Sequence, residues 1–248
     1  MIILKSKEEL LLMREAGRLV ARAHTLIQEY LKPGIKTKEL DELVASFIER
    51  NKAQSTFLGY RDFPAHICTA INEEVVHGIP GERRLSNGDV IGIDIGVRLN
   101  GYCGDRAVTY SVGEVTQKAR ELLRVTEEAL YRGIEKAVVG NRLSDISHAI
   151  QSHVEGKSFS VVRDYVGHGI GQKMHEDPPV PHFGPPGRGP RLKEGMVLAI
   201  EPMVNVGDFR VKVKEDNWTV VTSDGSLSAQ FEHTVAITKK GPWILTEL

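Results

Sequence analysis

Two apolar stretches of the sequence each end on an acidic residue. The first, Leu85 to Asp94, reads LSNGDVIGID, and the second, Leu192 to Glu201, reads LKEGMVLAIE. Since apolar residues precede both acids, neither carboxylate fits a surface position or a turn. Two further acids, Asp105 and Glu232, stand in segments that read alike, GDRAV and FEHTV. The four acids are therefore candidates for one shared site.

Carboxylates gathered in a buried site favour divalent cations. Such groups repel one another and lose their hydration on burial, so some would bind protons unless cations compensate their charge. Two metal ions that share bridging carboxylates and a bridging hydroxide are a recurrent arrangement in hydrolases. These residue types therefore predict metal-dependent hydrolysis.

A histidine between glycines is a further candidate ligand. His168 lies within the run GHGIG, residues 167–171, where the backbone can approach a ligand closely and the ring can reach a metal ion. The alternative is a nucleotide-binding loop, but the GxGxxG pattern would require glycine where Gln172 stands. A mixed imidazole and carboxylate ligand set suits Mn, Fe, Co or Zn better than Ca.

Two other histidines lie close to these motifs. His77 precedes the turn GIPG at residues 78–81, and His175 follows His168 by seven residues. Their positions make both candidates for contact with a substrate. Four more histidines, His24, His148, His153 and His182, are expected to be polar residues with ordinary hydrogen bonds.

The dipeptide Asn100-Gly101 would bring two of the acids together. It is the strongest short signal for a hairpin turn. A turn there places Asp94 opposite Ala107, with Asp105 two residues from Ala107 on the same face. The two aspartates are then diagonal neighbours, with backbones about 7–8 Å apart.

The second half of the chain is predicted to build a similar hairpin. It turns at Asp224-Gly225 and places Glu232 where Asp105 lies in the first half. This correspondence requires 20 additional residues in the second half, enough for an added strand around residues 204–213.

Helical segments precede the strands in both halves. Ser6 and Glu9 form a capping-box pattern, and Pro33-Gly34 ends the helix that follows. The other predicted helices begin near Thr37, run from about Thr116 to Val139 before Gly140, and run from Ser144 to Val154.

This restart indicates an internal repeat. The turn at 78–81 matches the turn at 184–187 at an offset of 106 residues, and one inserted residue then moves the offset to 107. We expect a single catalytic domain, residues 1–248, whose halves, roughly 5–113 and 114–248, face each other across a pseudo-twofold axis. The alternative is that helix and turn signals recur by chance in an α/β chain.

The composition is that of an ordinary globular protein. The 248 residues include 32 Lys and Arg and 33 Asp and Glu. This balance gives no field of one sign that would gather nucleic acid or an anionic membrane. The N-terminus has the pattern of neither a signal peptide nor a membrane span. We therefore expect a cytoplasmic protein with Cys68 and Cys103 as reduced thiols. We also expect a monomer, because the sequence shows no heptad pattern and no large exposed apolar stripe.

Five residues together resemble the metal ligands of a known enzyme family. Asp94, Asp105, His168, Glu201 and Glu232, in this order and with GHGIG around the histidine, are similar to the ligand set of the methionine aminopeptidases. The motifs HGIPG, EP and FEHT extend the resemblance over essentially the whole chain. It implies the pita-bread fold, an α/β architecture with a central antiparallel sheet covered by helices, and the short chain is similar to the bacterial type I form.

The resemblance also implies a role for each ligand. Asp94 would chelate one metal ion, Asp105 and Glu232 would bridge two ions, and His168 with Glu201 would complete the other site. The cofactors would be two divalent ions of Co, Mn, Fe or Zn. Glu201 would also accept the proton of the attacking water.

The family further implies how a substrate is held. His77 would contact the peptide near the scissile bond, and His175 would stabilise the tetrahedral intermediate. The chain departs from the family pattern at Phe57, where some relatives carry cysteine, and at Arg106, where small residues are usual. The substrate-binding residues would be Tyr60, Phe63, Cys68, His77, His175 and Trp218.

The implied function is metal-dependent removal of the initiator methionine from nascent polypeptides and peptides. A small second residue would be preferred, and contact with the ribosome would be transient. The alternatives are another pita-bread metallopeptidase, such as a proline dipeptidase, and a non-catalytic binding module. Non-catalytic relatives have lost metal ligands, whereas all five are present here.

Overall fold

The computed structural model describes residues 1–248 as an α/β fold in which helices cover antiparallel sheets. The α-helices are α1 (Lys7–Tyr30), α2 (Thr37–Arg50), α3 (Gln117–Ile134) and α4 (Leu143–Glu155), and a short 3-10 helix spans Tyr60–Asp62. The strands are β1 (Gln54–Ser55), β2 (Cys68–Ile71), β3 (Glu74–Val76), β4 (Val90–Leu99), β5 (Tyr102–Ser111), β6 (Ser160–Val161), β7 (Gly167–Gly169), β8 (Glu176–Val180), β9 (Val197–Ile200), β10 (Met203–Asn205), β11 (Val211–Val213), β12 (Val220–Thr222), β13 (Ser228–Gln230), β14 (His233–Thr238) and β15 (Gly241–Ile244). None of the helices has the length and apolar character needed to cross a membrane.

The helix starts follow the predicted capping signals. The Ser6 hydroxyl accepts the Glu9 N–H at 3.3 Å, and the Glu9 carboxylate accepts the Ser6 N–H at 2.7 Å, which completes the capping box of α1. Helix α3 ends at Ile134, five residues before the predicted end at Val139. Residues 135–136 and 139–140 form turns, and the Gly140 N–H donates to the Leu192 carbonyl in the same half.

The strands form four antiparallel sheets. In the first half, β5 lies on one edge of β4, and β1 and β2 share its other edge. In the second half, the five-stranded sheet has the order β15-β14-β9-β7-β8. Two three-stranded sheets, β13-β10-β6 and β11-β12-β3, complete the architecture, and the second of these joins strands from both halves.

Two apolar clusters attach the helices to the sheets. Leu19 of α1 and Ile93 of β4 belong to one cluster, and Leu122 of α3 and Leu198 of β9 belong to the other. Because side chains alternate along a strand, the neighbouring residues of β4 and β9 point away from the helices. The helices therefore cover the outer faces and leave the inner faces for a site between the halves.

The two halves repeat the same turn contacts. The Gly34 N–H donates to the Leu85 carbonyl at 2.7 Å, and the Gly140 N–H donates to the Leu192 carbonyl at 3.0 Å. Both glycines have positive φ, 92° and 96°, which residues with a Cβ adopt at a cost. We infer from this recurrence that the predicted halves are related units of one catalytic domain.

The halves meet where β5 runs beside β13 and β14. The Thr109 hydroxyl donates to the Gln230 carbonyl at 2.7 Å and accepts the Gln230 N–H at 2.9 Å. The Thr234 hydroxyl donates to the Asp105 carbonyl at 2.9 Å and accepts the Asp105 N–H at 3.1 Å. These reciprocal contacts relate Asp105 to Gln230 and Thr109 to Thr234 across the joint between the halves.

The predicted hairpin at Asp224-Gly225 is wrong. The chain does turn there, and Gly225 has a φ of 75°, but the flanking strands belong to different sheets. Strand β12 pairs with β11 and with β3 of the first half, whereas β13 pairs with β10. Because β11 and β3 pair with the two edges of β12, no edge is left for β13 to form a local hairpin.

Candidate metal centre

The β4–β5 hairpin positions two candidate ligands as predicted. It turns at Asn100-Gly101, whose φ values of 51° and 86° suit a tight two-residue turn. Asp94 pairs with Ala107, and Gly96 pairs with Asp105. The two aspartates are therefore diagonal neighbours on one face of the hairpin.

The other two acids lie at the ends of neighbouring strands. Glu201 follows β9 and Glu232 precedes β14, and the last pair between these strands is Ile200 with His233. The Glu232 N–H donates to the Ala107 carbonyl at 2.8 Å, so this glutamate sits at the joint between the halves. The fold brings the four acids to one place.

Glu232 does not hold the place that Asp105 holds in the first half, which corrects the predicted correspondence. In the first half Asp94 faces Ala107. In the second half Glu201 matches Asp94, and it faces Glu232, one residue beyond the last pair of β9 and β14. Glu232 therefore corresponds to Ala107, and Asp105 corresponds to Gln230. The alignment of GDRAV with FEHTV pairs Glu232 with Asp105, which is two residues away from its counterpart in the structure. The alignment fails because the hydrogen bonds between the halves set the register of these strands.

His168 joins the acids from β7. Its Nδ1–H donates to the Gly169 carbonyl at 2.9 Å, which leaves the Nε2 lone pair directed at the acids. Nε2 lies 3.8 Å from Asp105 Oδ2 and 3.6 Å from Glu201 Oε1. Ligand atoms of Asp105, His168 and Glu232 all lie within 4.8 Å of one another.

The glycines of GHGIG allow this approach. A Cβ at Gly167 would overlap the Ala199 carbonyl of β9, and a Cβ at Gly169 would overlap the Asp177 carbonyl of β8. Only glycine therefore lets β7 run so close to both neighbours, which is why the motif surrounds the histidine with residues that lack side chains.

The carboxyl groups are strongly perturbed without a cation. Burial raises the pKa of Asp94 to about 7. Burial, followed by repulsion from neighbouring carboxylates, raises the pKa values of Asp105, Glu201 and Glu232 well above their usual range. Burial lowers the pKa of His168 to about 4, so its imidazole is neutral at pH 7 and can act as a ligand.

The donor atoms fit a divalent cation. Asp94 Oδ1, Asp105 Oδ1 and Glu232 Oε1 are buried and have no hydrogen-bond partner. Buried polar atoms without partners are rare, and a cation would satisfy all three. Carboxylate oxygens with one imidazole nitrogen also make the ligand set that Mn, Fe, Co and Zn accept.

Two residues that the sequence analysis did not assign to the site support Glu201. The Gln230 side-chain amide donates to Glu201 Oε2 at 3.1 Å. His182 Nε2 accepts the Glu201 N–H at 3.2 Å, so His182 is a buried polar residue, as predicted, but one that orients a candidate ligand. The correspondence between Gln230 and Asp105 appears only in the fold, and no local sequence signal identifies either role.

A cavity of about 550 Å³ opens over the acids. Its lining includes all the predicted substrate-binding residues, namely Tyr60, Phe63, Cys68, His77, His175 and Trp218, together with Asp94, Asp105, His168 and Glu201. Glu232 is 1% exposed and lies beneath the lining. The candidate ligands therefore form the floor of the cavity.

The cavity walls are mainly aromatic rings. The Phe63 and Trp218 rings meet edge to face with centroids 5.0 Å apart, and the His77 ring lies 6.4 Å from Trp218. The His175 ring lies 4.3 Å from His168 and 5.2 Å from Tyr60. His175 thus lies beside a candidate metal ligand, whereas His77 packs against the Trp218 ring.

Further lining residues were not predicted. Tyr165, whose ring lies 5.5 Å from His77, precedes GHGIG by two residues, and this proximity is the signal that could have identified it. Met174 and Met203 contribute apolar surface from segments with no local motif. Phe57 lies in the lining, whereas Arg106 does not and instead donates to the Thr246 carbonyl at 3.0 Å.

Known proteins are similar to this chain in sequence and in architecture. The model of metallopeptidase family M24 matches residues 11–239. This chain belongs to metallopeptidase family M24. The methionine aminopeptidase 1 of Bacillus subtilis is 58% identical over 248 residues, which cover 100% of both chains. Family M24 membership and the candidate donor set together establish that the protein uses a divalent metal ion.

Solved structures of family M24 enzymes share the fold over the full chain. The methionine aminopeptidase of Thermotoga maritima is 45% identical with a TM-score of 0.98 and covers 100% of both chains. That of Rickettsia prowazekii is 44% identical with the same TM-score, over 99% of this chain and 100% of the other. The prolidase of Pyrococcus horikoshii, at 23% identity and a TM-score of 0.79, shares the fold alone. The predicted pita-bread fold is confirmed.

Proposed function

We propose that this M24 metallopeptidase removes the N-terminal methionine from peptides and nascent polypeptides. The observation that carries the proposal is the cavity, in which four carboxylates and one imidazole form the floor and Tyr60, Phe63 and Trp218 contribute aromatic rings to the walls. Relatives between 44% and 58% identical over nearly the whole chain are methionine aminopeptidases. A metal-dependent aminopeptidase fits both findings.

The five residues at the floor hold two divalent ions in this proposal. Asp94 would hold one ion, His168 and Glu201 would hold the other, and Asp105 and Glu232 would contribute to both. Mn, Fe, Co and Zn all suit these donors. When bound, the ions supply a water whose pKa is low enough to provide hydroxide near neutral pH.

Glu201 acts as the proton carrier. Its carboxylate accepts the proton of the attacking water and delivers it to the leaving amine. The hydrogen bond from Gln230 to Oε2 fixes the carboxylate plane, so the proton transfer needs no rotation of the side chain.

Two neutral histidines serve the reacting carbonyl. Burial lowers the pKa of His77 to about 4 and also lowers the pKa of His175, so both rings are uncharged at pH 7 and present an N–H. His175 donates to the developing oxyanion, and His77 donates to the peptide near the scissile bond. Preorganised donors of this kind contribute most in a site that excludes water.

The pocket suits an unbranched thioether side chain. Tyr60, Phe63, Cys68 and Trp218 offer aromatic and sulfur contacts and no charge. Preference for a small second residue, transient contact with the ribosome, a monomeric state and a cytoplasmic location complete the proposal. The first two properties come from the family resemblance, the monomeric state from the lack of a heptad pattern or large apolar stripe, and the location from the N-terminal sequence pattern.

Hydrolysis of Met-Ala-Ser by metal-stripped protein, with Co, Mn, Fe or Zn added back, tests this function. Leu-Ala-Ser and Ala-Pro serve as competing substrates, and Glu232→Ala is compared with Glu215→Ala, a substitution of an exposed glutamate outside the cavity. We expect metal-dependent release of methionine alone, lost in Glu232→Ala and retained in Glu215→Ala. Cleavage of Ala-Pro instead would favour a proline dipeptidase, and metal binding without turnover would leave a binding module.

A further inference from the structure

A buried ion pair joins the N-terminal segment to the loop that carries His175. Lys5 lies just before α1, and its ammonium contacts the carboxylate of Glu176, the residue after His175. The side chains of Lys5 and Glu176 are only 3% and 6% exposed. Buried charges are retained where both partners are held in a defined geometry, so this pair differs from the exposed ion pairs of the surface.

The loop folds tightly around this pair. The Lys173 N–H donates to Glu176 Oε1 at 3.2 Å, and the Gly171 N–H donates to the Lys173 carbonyl at 3.0 Å. A Cβ at Gly171 would overlap the Lys5 side chain and the Glu176 carboxylate. The last glycine of GHGIG is therefore required by the ion pair and not by the metal ligands.

The backbone of Lys5 connects the ion pair to the turn before β9. Its N–H donates to the Gly195 carbonyl at 2.7 Å, in the turn that leads into β9 and then to Glu201. The Lys5 ammonium also donates to the Ile3 carbonyl at 3.2 Å. The backbone of Lys5 is thus held by the turn before β9, while its side chain extends to Glu176 in the loop.

Neither member of the pair reaches the substrate cavity. His175 lines the cavity over the candidate metal ligands, whereas Lys5 and Glu176 do not. His175 makes no side-chain hydrogen bond to the protein, so its ring is oriented by its backbone and by the rings of Tyr60 and His168. Any influence of Lys5 on the reaction must pass through the backbone of the loop.

We propose that the Lys5–Glu176 ion pair is a positioning device that holds the backbone of the loop 172–177 so that the His175 ring stays over the reacting carbonyl. Lys5 and Glu176 are positioning residues, and the proposal rests on the role given to His175 above. A ring displaced by about 1 Å donates poorly to the oxyanion, so loss of the pair affects the chemical step more than substrate binding.

Steady-state kinetics of Met-Ala-Ser hydrolysis test the device in the full-length, metal-loaded protein. The variants are Lys5→Met and Glu176→Gln, with Lys5→Arg as the conservative replacement and Lys7→Met, an exposed lysine two residues away, as the matched control. We expect Lys5→Met and Glu176→Gln to lower kcat by about tenfold or more and to change KM by less than about twofold. Lys5→Arg keeps most of the activity, and Lys7→Met is unaffected.

A double-mutant cycle with His175 separates positioning from a general structural role. If Lys5 acts through His175, Lys5→Met has no further effect on kcat once His175→Ala is present. An equal loss of kcat in both backgrounds would overturn the proposal.

Hydrogen exchange gives a second readout that does not depend on turnover. The amide protons of 173–177 should exchange faster in Lys5→Met than in the wild-type protein or Lys7→Met, while those of β4 keep their protection. Unchanged exchange in the loop would refute the device. Failure of the wild-type protein to release methionine would refute the proposed function separately, since the exchange rates still report on the loop.

Discussion

Four buried acids with raised pKa values make the metal-free site a source of instability. Asp94, Asp105, Glu201 and Glu232 lie within one cluster, and three of them have a buried oxygen without a hydrogen-bond partner. Charges of one sign at such separations repel strongly in a poorly solvated site. A divalent cation bound by these acids would therefore also relieve a cost of folding.

The destabilisation caused by these buried acids should make the free energy of unfolding of the metal-free protein depend on pH. In the folded, metal-free protein the pKa of Asp94 is about 7, against 3.8 as the ordinary value. Between these values the folded state holds a proton that the unfolded chain has lost, so the free energy of unfolding falls as pH rises from about 4 to 7. The fall attributable to Asp94 is on the order of 2–4 kcal/mol.

Urea unfolding of metal-stripped wild-type protein and Asp94→Asn, between pH 4 and 7.5, measures this effect. Buried histidines such as His24 and His182 titrate in both proteins and cancel in the difference. Asp94→Asn also removes the repulsion by which Asp94 raises the pKa values of Asp105, Glu201 and Glu232, so the difference reports the whole acid cluster. We expect the stability of the wild type relative to Asp94→Asn to decrease across this range and to recover when a divalent ion is added. A difference that stays constant with pH would contradict the raised pKa.

At the scale of elements, one turn controls the geometry of the first two ligands. Asp94 and Asp105 lie on strands that are joined only by Asn100-Gly101, and the register of the hairpin follows from the length of this turn. Gly101 has a φ of 86°, and no atom lies near the position that a Cβ would occupy. A side chain at this position would therefore strain the backbone without clashing with other atoms.

Gly101→Ala should therefore lower stability through strain alone. We expect a loss of about 1 kcal/mol, or a Tm lower by about 2–4 °C, with Gly101→Asn affected less because asparagine tolerates the left-handed region. Gly81→Ala is the matched control, since Gly81 has no positive φ and its nearest neighbour to a Cβ is 4.0 Å away. Calorimetric scans that give equal Tm values for Gly101→Ala and Gly81→Ala would exclude strain at the turn.

At the scale of the whole molecule, the joint between the halves sets the site. Thr109 and Thr234 each satisfy both backbone groups of a residue in the opposite half, Gln230 and Asp105 respectively. Both partner residues belong to the site, since Asp105 is a candidate ligand and Gln230 donates to Glu201. The fold thus places these inter-half hydrogen bonds on residues of the candidate metal centre.

Thr109→Val should weaken this joint. The substitution keeps the shape of the side chain but leaves the buried N–H and carbonyl of Gln230 without partners, which costs about 2 kcal/mol or more. Thr126→Val is the control, because Thr126 is equally buried but its hydroxyl bonds only to the Leu122 carbonyl within α3. Urea unfolding should rank Thr109→Val well below Thr126→Val, with Thr109→Ser near the wild type. Equal stability of the two valine variants would show that the joint contributes little.

The sequence by itself determined the local features and the choice of candidate ligands. The Asn100-Gly101 turn, the capping box at Ser6 and the pairing of Asp94 with Ala107 depend on residues close in the chain, so local preferences were sufficient. Apolar runs that end in an acid pointed to Asp94 and Glu201, similar segments pointed to Asp105 and Glu232, and the GHGIG motif pointed to His168, while the family resemblance joined the five as a ligand set.

Only the tertiary structure decided what depends on distant contacts. It broke the expected hairpin at Asp224-Gly225, ended α3 at Ile134, and made Gln230 rather than Glu232 the counterpart of Asp105. It also brought Lys5 to Glu176, 171 residues away. For the hairpin and the register of Asp105, hydrogen bonds between segments far apart in sequence outweigh the local preference, and no pattern within either segment carries that information.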